Sequence, residues 1–337
     1  YGRGDRRTTA WRATLYLGLA SMVLLAALLM IGTQAGFTFS GLKDFMASGR
    51  ELAHAELIGA LLIAGFGTLI SLFPFHSWAA PAYASAPAPV AMMHAGVLKK
   101  FGLYGLFMFQ PLMETGFLPW TNILLVLLVC NVIWVGYVTV NQKRLDLLLG
   151  NSSVMHMGYI FLAFAALVVS GSAEANPWAL KGAALLMLAH GLTIALLFLL
   201  CGQIEKQTGT LEINSLGGLS TRLPRMAFVF GLAGMASIGL PGLANFPGEF
   251  MVFFSGFAGF SNGFGPVQIA TILCLWGLVI GAVYMLRAYR NIFQGDLSKA
   301  SAYATGLQPS ERAANCFLVI ALAVFGFFPT LVLQFFS

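Results

Sequence analysis

The sequence predicts an all-α, polytopic membrane helix bundle, and three observations carry that expectation. Of the 337 residues, 58% are hydrophobic and 9% charged, against roughly 25% charged in soluble domains. So few charges cannot cover a water-facing surface of this size, and lipid must solvate most of the chain. The apolar runs are also continuous, as in AWRATLYLGLASMVLLAALLMIG near the start, whereas a transmembrane barrel alternates polar and apolar residues in segments of about ten. Finally, about nine of these runs approach the roughly 20 residues that a helix needs to cross a bilayer.

In chain order, helices are expected near 12–33, 55–84, 88–110, 121–141, 146–171, 178–203, 226–260, 267–291 and 313–334. The first follows a basic segment, residues 1–11. That segment opens on Tyr1 and has none of the parts of a signal peptide, which favours a chain cut from a longer one. The second should be interrupted near Pro74. Pro87 and Pro89 suit the start of the third, where a missing N–H is harmless. The seventh contains Pro241–Gly242 and Pro247–Gly248, and proline removes an N–H and clashes with the preceding turn, so this helix should break. With 38 Gly and 29 Phe, the composition suits helices that pack through small residues and face acyl chains with large ones. The cysteines (Cys130, Cys201, Cys274 and Cys316) lie singly in apolar runs, and their spacing fits neither a zinc site nor a disulfide framework.

The formal charge of +6 is topological. With loops on alternating sides of the helices above, 13 of the 18 Lys and Arg, from Arg3 to Arg312, collect on the side of the N-terminus. Only Lys43, Arg50 and Lys181 fall on the other. This follows the positive-inside rule. It places the N-terminus in the cytoplasm, makes the chain a multi-pass protein of the cell inner (plasma) membrane, and implies no nucleic-acid partner.

Ionisable side chains at membrane depth cost about 2.5–3.5 kcal/mol each on insertion scales, so each needs a reason. Five lie well inside predicted helices: His94, Lys100, His156, His190 and Glu249. His94, Gly96, Lys100 and Tyr104 run along one helix. Lys99 is turned about 100° from Lys100, so one lysine should face the interior and the other should snorkel or meet a partner subunit. His156 and His190 can exchange protons near neutrality, although a lone helix histidine is as readily a hydrogen-bonding residue between helices. Glu249 stands beside the second interruption, with Asn245 near it. Broken helices at membrane depth line protein-buried or wet cavities, and transporters place ion sites at such breaks. The competing reading for Glu249 is an ion pair with a neighbouring helix.

The segments PFHSW, APAPVAMMHAGVLKKFGLYG, NSSVMHMGY, MLAHGLTIALLFLLCGQ, GGL and GLPGLANFPGEFMVFF resemble, in order, the antiporter-like proton-translocating subunit family of respiratory complex I, multi-subunit sodium/proton antiporters and membrane-bound hydrogenases. The likeness is nearest to chain M of complex I (NADH-quinone oxidoreductase), the mitochondrial subunit-four type, and runs from about residue 12 to 294. It implies the last nine helices of a fourteen-helix fold, with residues 12–294 as the translocating domain and 295–337 as a loop and closing helix. It further implies that Lys100 is the central exchange lysine, that His156 and His190 are relay histidines, and that Glu249 is the output-side carboxylate, with His94 nearby. The implied function is movement of protons (or sodium), driven through partner membrane-arm subunits by electron transfer from NADH or another donor to quinone. No haem, iron–sulfur or nucleotide motif is present, so no redox cofactor is expected in this chain.

The departures from the family pattern are specific. Leu69 stands where a lysine is expected, and Trp78-Ala79-Ala80-Pro81-Ala82 lacks an aspartate. Asp146 falls where a loop lysine is usual, with Lys143 and Arg144 slightly earlier. Two rivals therefore stand beside the respiratory reading. One is a subunit of a cation/proton antiporter or hydrogenase. The other is a non-pumping scaffold, for which Leu69 is the best argument.

Overall fold

The computed structural model describes residues 2–258 and 263–336. Residues 1, 259–262 and 337 lie outside the described residues, and with them the last two positions of the expected 226–260 helix. Among the described residues the secondary structure is helical, apart from one isolated bridge between Arg144 and Glu212.

Helix α1 (Arg6–Ala35) starts six residues earlier than expected because Asp5 accepts a hydrogen bond from the Thr8 N–H (3.3 Å) and caps it. Trp11, Leu15, Leu19, Met22, Leu25 and Leu29 form its exposed stripe, at the three- and four-residue spacing of one helix face. Its small buried face meets α3 (Ala55–Ile70), after the short α2 (Phe39–Ala47). The chain then breaks and resumes as α4 (Ala79–Ser85) and α5 (Ala88–Met93), with Pro87 at the N-cap as the sequence suggested. A single π-turn (His94–Leu98) links α5 to α6 (Lys100–Phe109). There follow α7 (Glu114–Phe117), α8 (Thr121–Val140), α9 (Leu145–Ser170) and α10 (Pro177–Thr208). The last group is α11 (Leu219–Arg222), α12 (Pro224–Ser237), α13 (Asn245–Ser255), α14 (Pro266–Phe293), α15 (Pro309–Phe327) and α16 (Thr330–Leu333).

Six of these segments are long and apolar enough to cross a membrane on their own. The other three expected crossings are the composite ones: α3/α4, α5/α6 and α12/α13. The final helix differs from its expected bounds of 313–334. A capping box between Gln308 and Glu311 starts it at Pro309, and Pro329 ends it at Phe327.

Helix α9 is the axis of the bundle, buried almost continuously from Leu145 to Val168. It packs against α8, α10, α4, α13 and α14. Glycines permit the tightest crossings, with Gly182 and Gly248 at the contact of α10 with α13 and Gly96 against Gly191 at the π-turn. The loops predicted to share the basic side do meet. Arg3 pairs with Glu205, Lys206 with Glu311 (2.7 Å), and the Leu145 N–H donates to the Leu211 carbonyl (3.0 Å). All four cysteines are free; Cys201 and Cys274 are buried, whereas Cys316 is exposed.

Candidate functional site

Each helix break is held by side chains from neighbouring helices. At the first, Asn131 of α8 accepts from the Phe73 N–H (2.6 Å) and donates to the carbonyls of Ser71 (3.3 Å) and Val154 (3.2 Å). Trp78 donates its indole N–H to the Thr68 carbonyl (3.1 Å). The bonds to the Phe73 N–H and the Ser71 carbonyl satisfy backbone groups that the interrupted helix leaves without partners.

The second break follows directly from Pro241. In an unbroken helix the Ser237 carbonyl would accept from residue 241, but proline has no N–H to give. His156 of α9 faces that carbonyl instead, with Nε2 at 2.9 Å, while its Nδ1 lies 2.8 Å from the Ser152 carbonyl. A neutral imidazole donates to one of these acceptors and an imidazolium to both. Proton gain or loss at His156 therefore makes or breaks a bond at a helix end.

From His156 the polar row continues toward α13. His190 of α10 lies with its ring 5.4 Å from that of His156. Thr193, three residues further along α10, donates to Asn245 Oδ1 (3.0 Å). Asn245 and Glu249 are four residues apart on α13 and share one face. The Thr193–Asn245 bond thus turns the His190 face of α10 toward the Glu249 face of α13. Glu249 is buried, its Oε1 has no hydrogen-bond partner, and none of the ion pairs among the described residues involves it. Its other oxygen lies against Gly239, whose φ is +79°. A side chain there would be strained by about 1–2 kcal/mol and would collide with the carboxylate. Gly239→Ala is accordingly expected to lower thermal stability and displace Glu249, visible as a reduced melting temperature of the detergent-solubilised protein. Gly231→Ala, whose added methyl would find only ordinary contacts with Tyr289, should leave it close to wild type.

The two lysines correct the sequence reading. Neither snorkels: Lys99 is 0% exposed and Lys100 is 7% exposed. Of the residues that run along this helix, Tyr104 is 58% exposed. The π-turn shifts the register, with the Lys99 N–H bonded to the His94 carbonyl (3.2 Å). Lys100 donates to the Ala95 carbonyl of its own helix and lines a cavity of about 940 Å³ between α5/α6, α10 and α15. His94 packs its ring near Trp78 (5.6 Å) and Tyr83 (5.4 Å), with Nδ1 unpartnered.

The structure thus brings His156, His190 and the Glu249 segment together and places His94 and the lysines at the first break. Three groups were not singled out from sequence. Tyr284 of α14 is hydrogen-bonded to the Ser152 hydroxyl (2.7 Å), Tyr159 packs between His156 and Phe253, and the Ser237 carbonyl comes from the second break. Tyr284 had a signal: Gly277 and Gly281 precede it at three- and four-residue spacing, marking a close-packed face. At the start of α9, Asp146 is buried and holds Arg144 through paired bonds (3.1 and 2.7 Å). This contact raises the guanidinium above its already high ordinary value.

Comparison with known proteins bears on the family and the fold. Residues 2–271 match the family model described as NADH:quinone oxidoreductase/Mrp antiporter, TM. The chain is 35% identical to NAD(P)H-quinone oxidoreductase chain 4 1 of Synechococcus elongatus, across 99% of this chain and 61% of that protein. It is 34% identical to NAD(P)H-quinone oxidoreductase chain 4 2 of Microcystis aeruginosa, across 94% and 56%. The chain therefore spans about three fifths of the length of these relatives. Among solved structures it superposes on a chain of respiratory complex I from Thermus thermophilus with bound NADH, with a TM-score of 0.87 and 26% identity, covering 100% of this chain and 68% of that one. A match across most of the sequence, together with the two stitched helix breaks, leads to one conclusion: the chain belongs to the NADH:quinone oxidoreductase/Mrp antiporter transmembrane family.

Proposed function

We propose that this chain is the proton-conducting part of a membrane-arm subunit of a complex I-like NADH-quinone oxidoreductase. One observation carries the reading. Protonatable groups, all of them buried except the half-buried His94, extend from Lys99, Lys100 and His94 at one helix break, through His156 and His190, to Glu249 at the other. Each carries a desolvation cost that no ordinary packing role repays. In this reading Lys100 exchanges protons at mid-membrane, His156 and His190 pass them on, and Glu249 is the exit or coupling carboxylate. The unpartnered nitrogens and oxygens of His94, His190, Asn245, Glu249 and Tyr159 are where water completes the row, because buried polar groups in working proteins are hydrogen-bonded.

Residues 12–294 form the translocating domain in this proposal, and 295–337 add a loop and the closing helix. Partner subunits would supply the electron transfer to quinone that drives the flux. The N-terminal, basic side would face the cytoplasm across the plasma membrane. A non-pumping scaffold is the second reading, favoured by Leu69, an apolar residue where the family resemblance places a lysine.

The test is to isolate the native complex under gentle solubilisation, identify its subunits by mass spectrometry, and reconstitute it in vesicles. Redox partners, and internal pH changes that accompany quinone reduction, are expected. Antiporter-like partners with no redox subunit would refute the respiratory reading, and quinone reduction with no proton flux would establish the scaffold.

A further inference from the structure

We propose that Lys99 is an additional proton-carrying residue, the one through which the first helix break reaches α9. The inference rests on the proton-conducting reading above and names a residue that the family resemblance does not assign.

Geometry separates the two lysines by partner. Lys99 lies wholly inside the protein, and its Nζ donates to both the carbonyl (3.2 Å) and the hydroxyl (3.3 Å) of Ser153 on α9. The same ammonium stands 5.7 Å from the centre of the Tyr83 ring on α4, within the range of a cation–π contact. Ser153 precedes His156 by three residues, so both occupy one face of α9. Lys100, by contrast, bonds within its own helix and lines the apolar cavity beside Met92, Phe101 and Phe317.

The π-turn produces this arrangement. Its bond from the Lys99 N–H to the His94 carbonyl spans five residues, and the extra residue in the turn brings Lys99 onto the side of the helix that His94 occupies. His94 and Lys99 then both face Tyr83. The chemistry needs no reagent beyond water. An N–H bond of the Lys99 ammonium breaks as the Ser153 hydroxyl accepts that proton and releases its own to a water on the His156 face of α9, which becomes hydronium and passes the charge on. The neutral amine is then reprotonated from the His94 side, and no electrons move.

The test uses the assembled complex in vesicles, reading quinone reduction and internal pH together. Lys99→Met is expected to cut proton flux about a hundredfold or more, and Lys99→Arg, whose guanidinium does not give up its proton, to lose as much. Lys99→His should move the alkaline limb of the flux-against-pH profile down by about a pH unit or more, because histidine titrates well below lysine. Flux through Lys99→Met equal to wild type would overturn the proposal, as would flux through Lys99→Arg equal to wild type. If Lys99→Met fails to assemble, an unmoved alkaline limb in Lys99→His overturns it. Wild-type vesicles that reduce quinone without moving protons would remove the proton-conducting reading itself, and this inference with it.

Discussion

Glu249→Gln is expected to reduce proton flux about a hundredfold or more, the loss typical when a positioned proton-transfer group is removed, while leaving the subunit assembled. Glutamine matches the carboxylate in size and keeps a polar group beside Gly239, so the fold around the second break should survive. What it cannot do is take up and release a proton. No basic residue pairs with Glu249 among the described residues, so the substitution strands no cation. Flux is measured in vesicles and assembly by native electrophoresis. A variant that assembles and pumps like wild type would remove Glu249 from the pathway and favour the scaffold reading.

The largest effect on stability is expected at Asn131. Its side chain is fully buried and serves the Phe73 N–H and the Ser71 carbonyl, two backbone groups that the broken helix cannot satisfy. Each buried group left without a partner costs about 1–3 kcal/mol. Asn131→Leu should therefore destabilise the protein by roughly 2–6 kcal/mol, measured as unfolding in a denaturing detergent titration. Asn131→Asp either buries an unpaired carboxylate against the Ser71 and Val154 carbonyls or must take up a proton, so it too should be less stable than wild type. Equal stability of all three would show that the first break is held by something other than this side chain.

The fold was legible because its determinants are local. Length and apolar composition mark each crossing, and Pro74, Pro241 and Pro247 announce two of the three interruptions. The interruption at 94–98 carries no such mark. HAGVL reads as ordinary helix, and nothing in its letters shows that Lys99 as well as Lys100 would be buried. The candidate site was legible residue by residue but not in its connections. His156 is conspicuous as an ionisable group in an apolar run, yet its partner is the Ser237 carbonyl, 81 positions away. Main-chain acceptors have no letter in a sequence. Asp146, where the resemblance expects a lysine, shows the same limit: only the structure reveals that it binds the neighbouring Arg144 at the start of α9.

The enclosure of α9 has a consequence for how the protein is made. A ribosome delivers helices in order, so α9 enters the bilayer when α8 exists but α10, α13 and α14 do not. During that interval Ser152, Ser153 and His156, later sheltered on every side, face either lipid or the insertion machinery. The apolar stretch from Tyr159 to Val168 must anchor the segment until its neighbours are synthesised. Biogenesis should therefore be most sensitive to polar substitutions in that stretch, even at positions remote from every proton-carrying group.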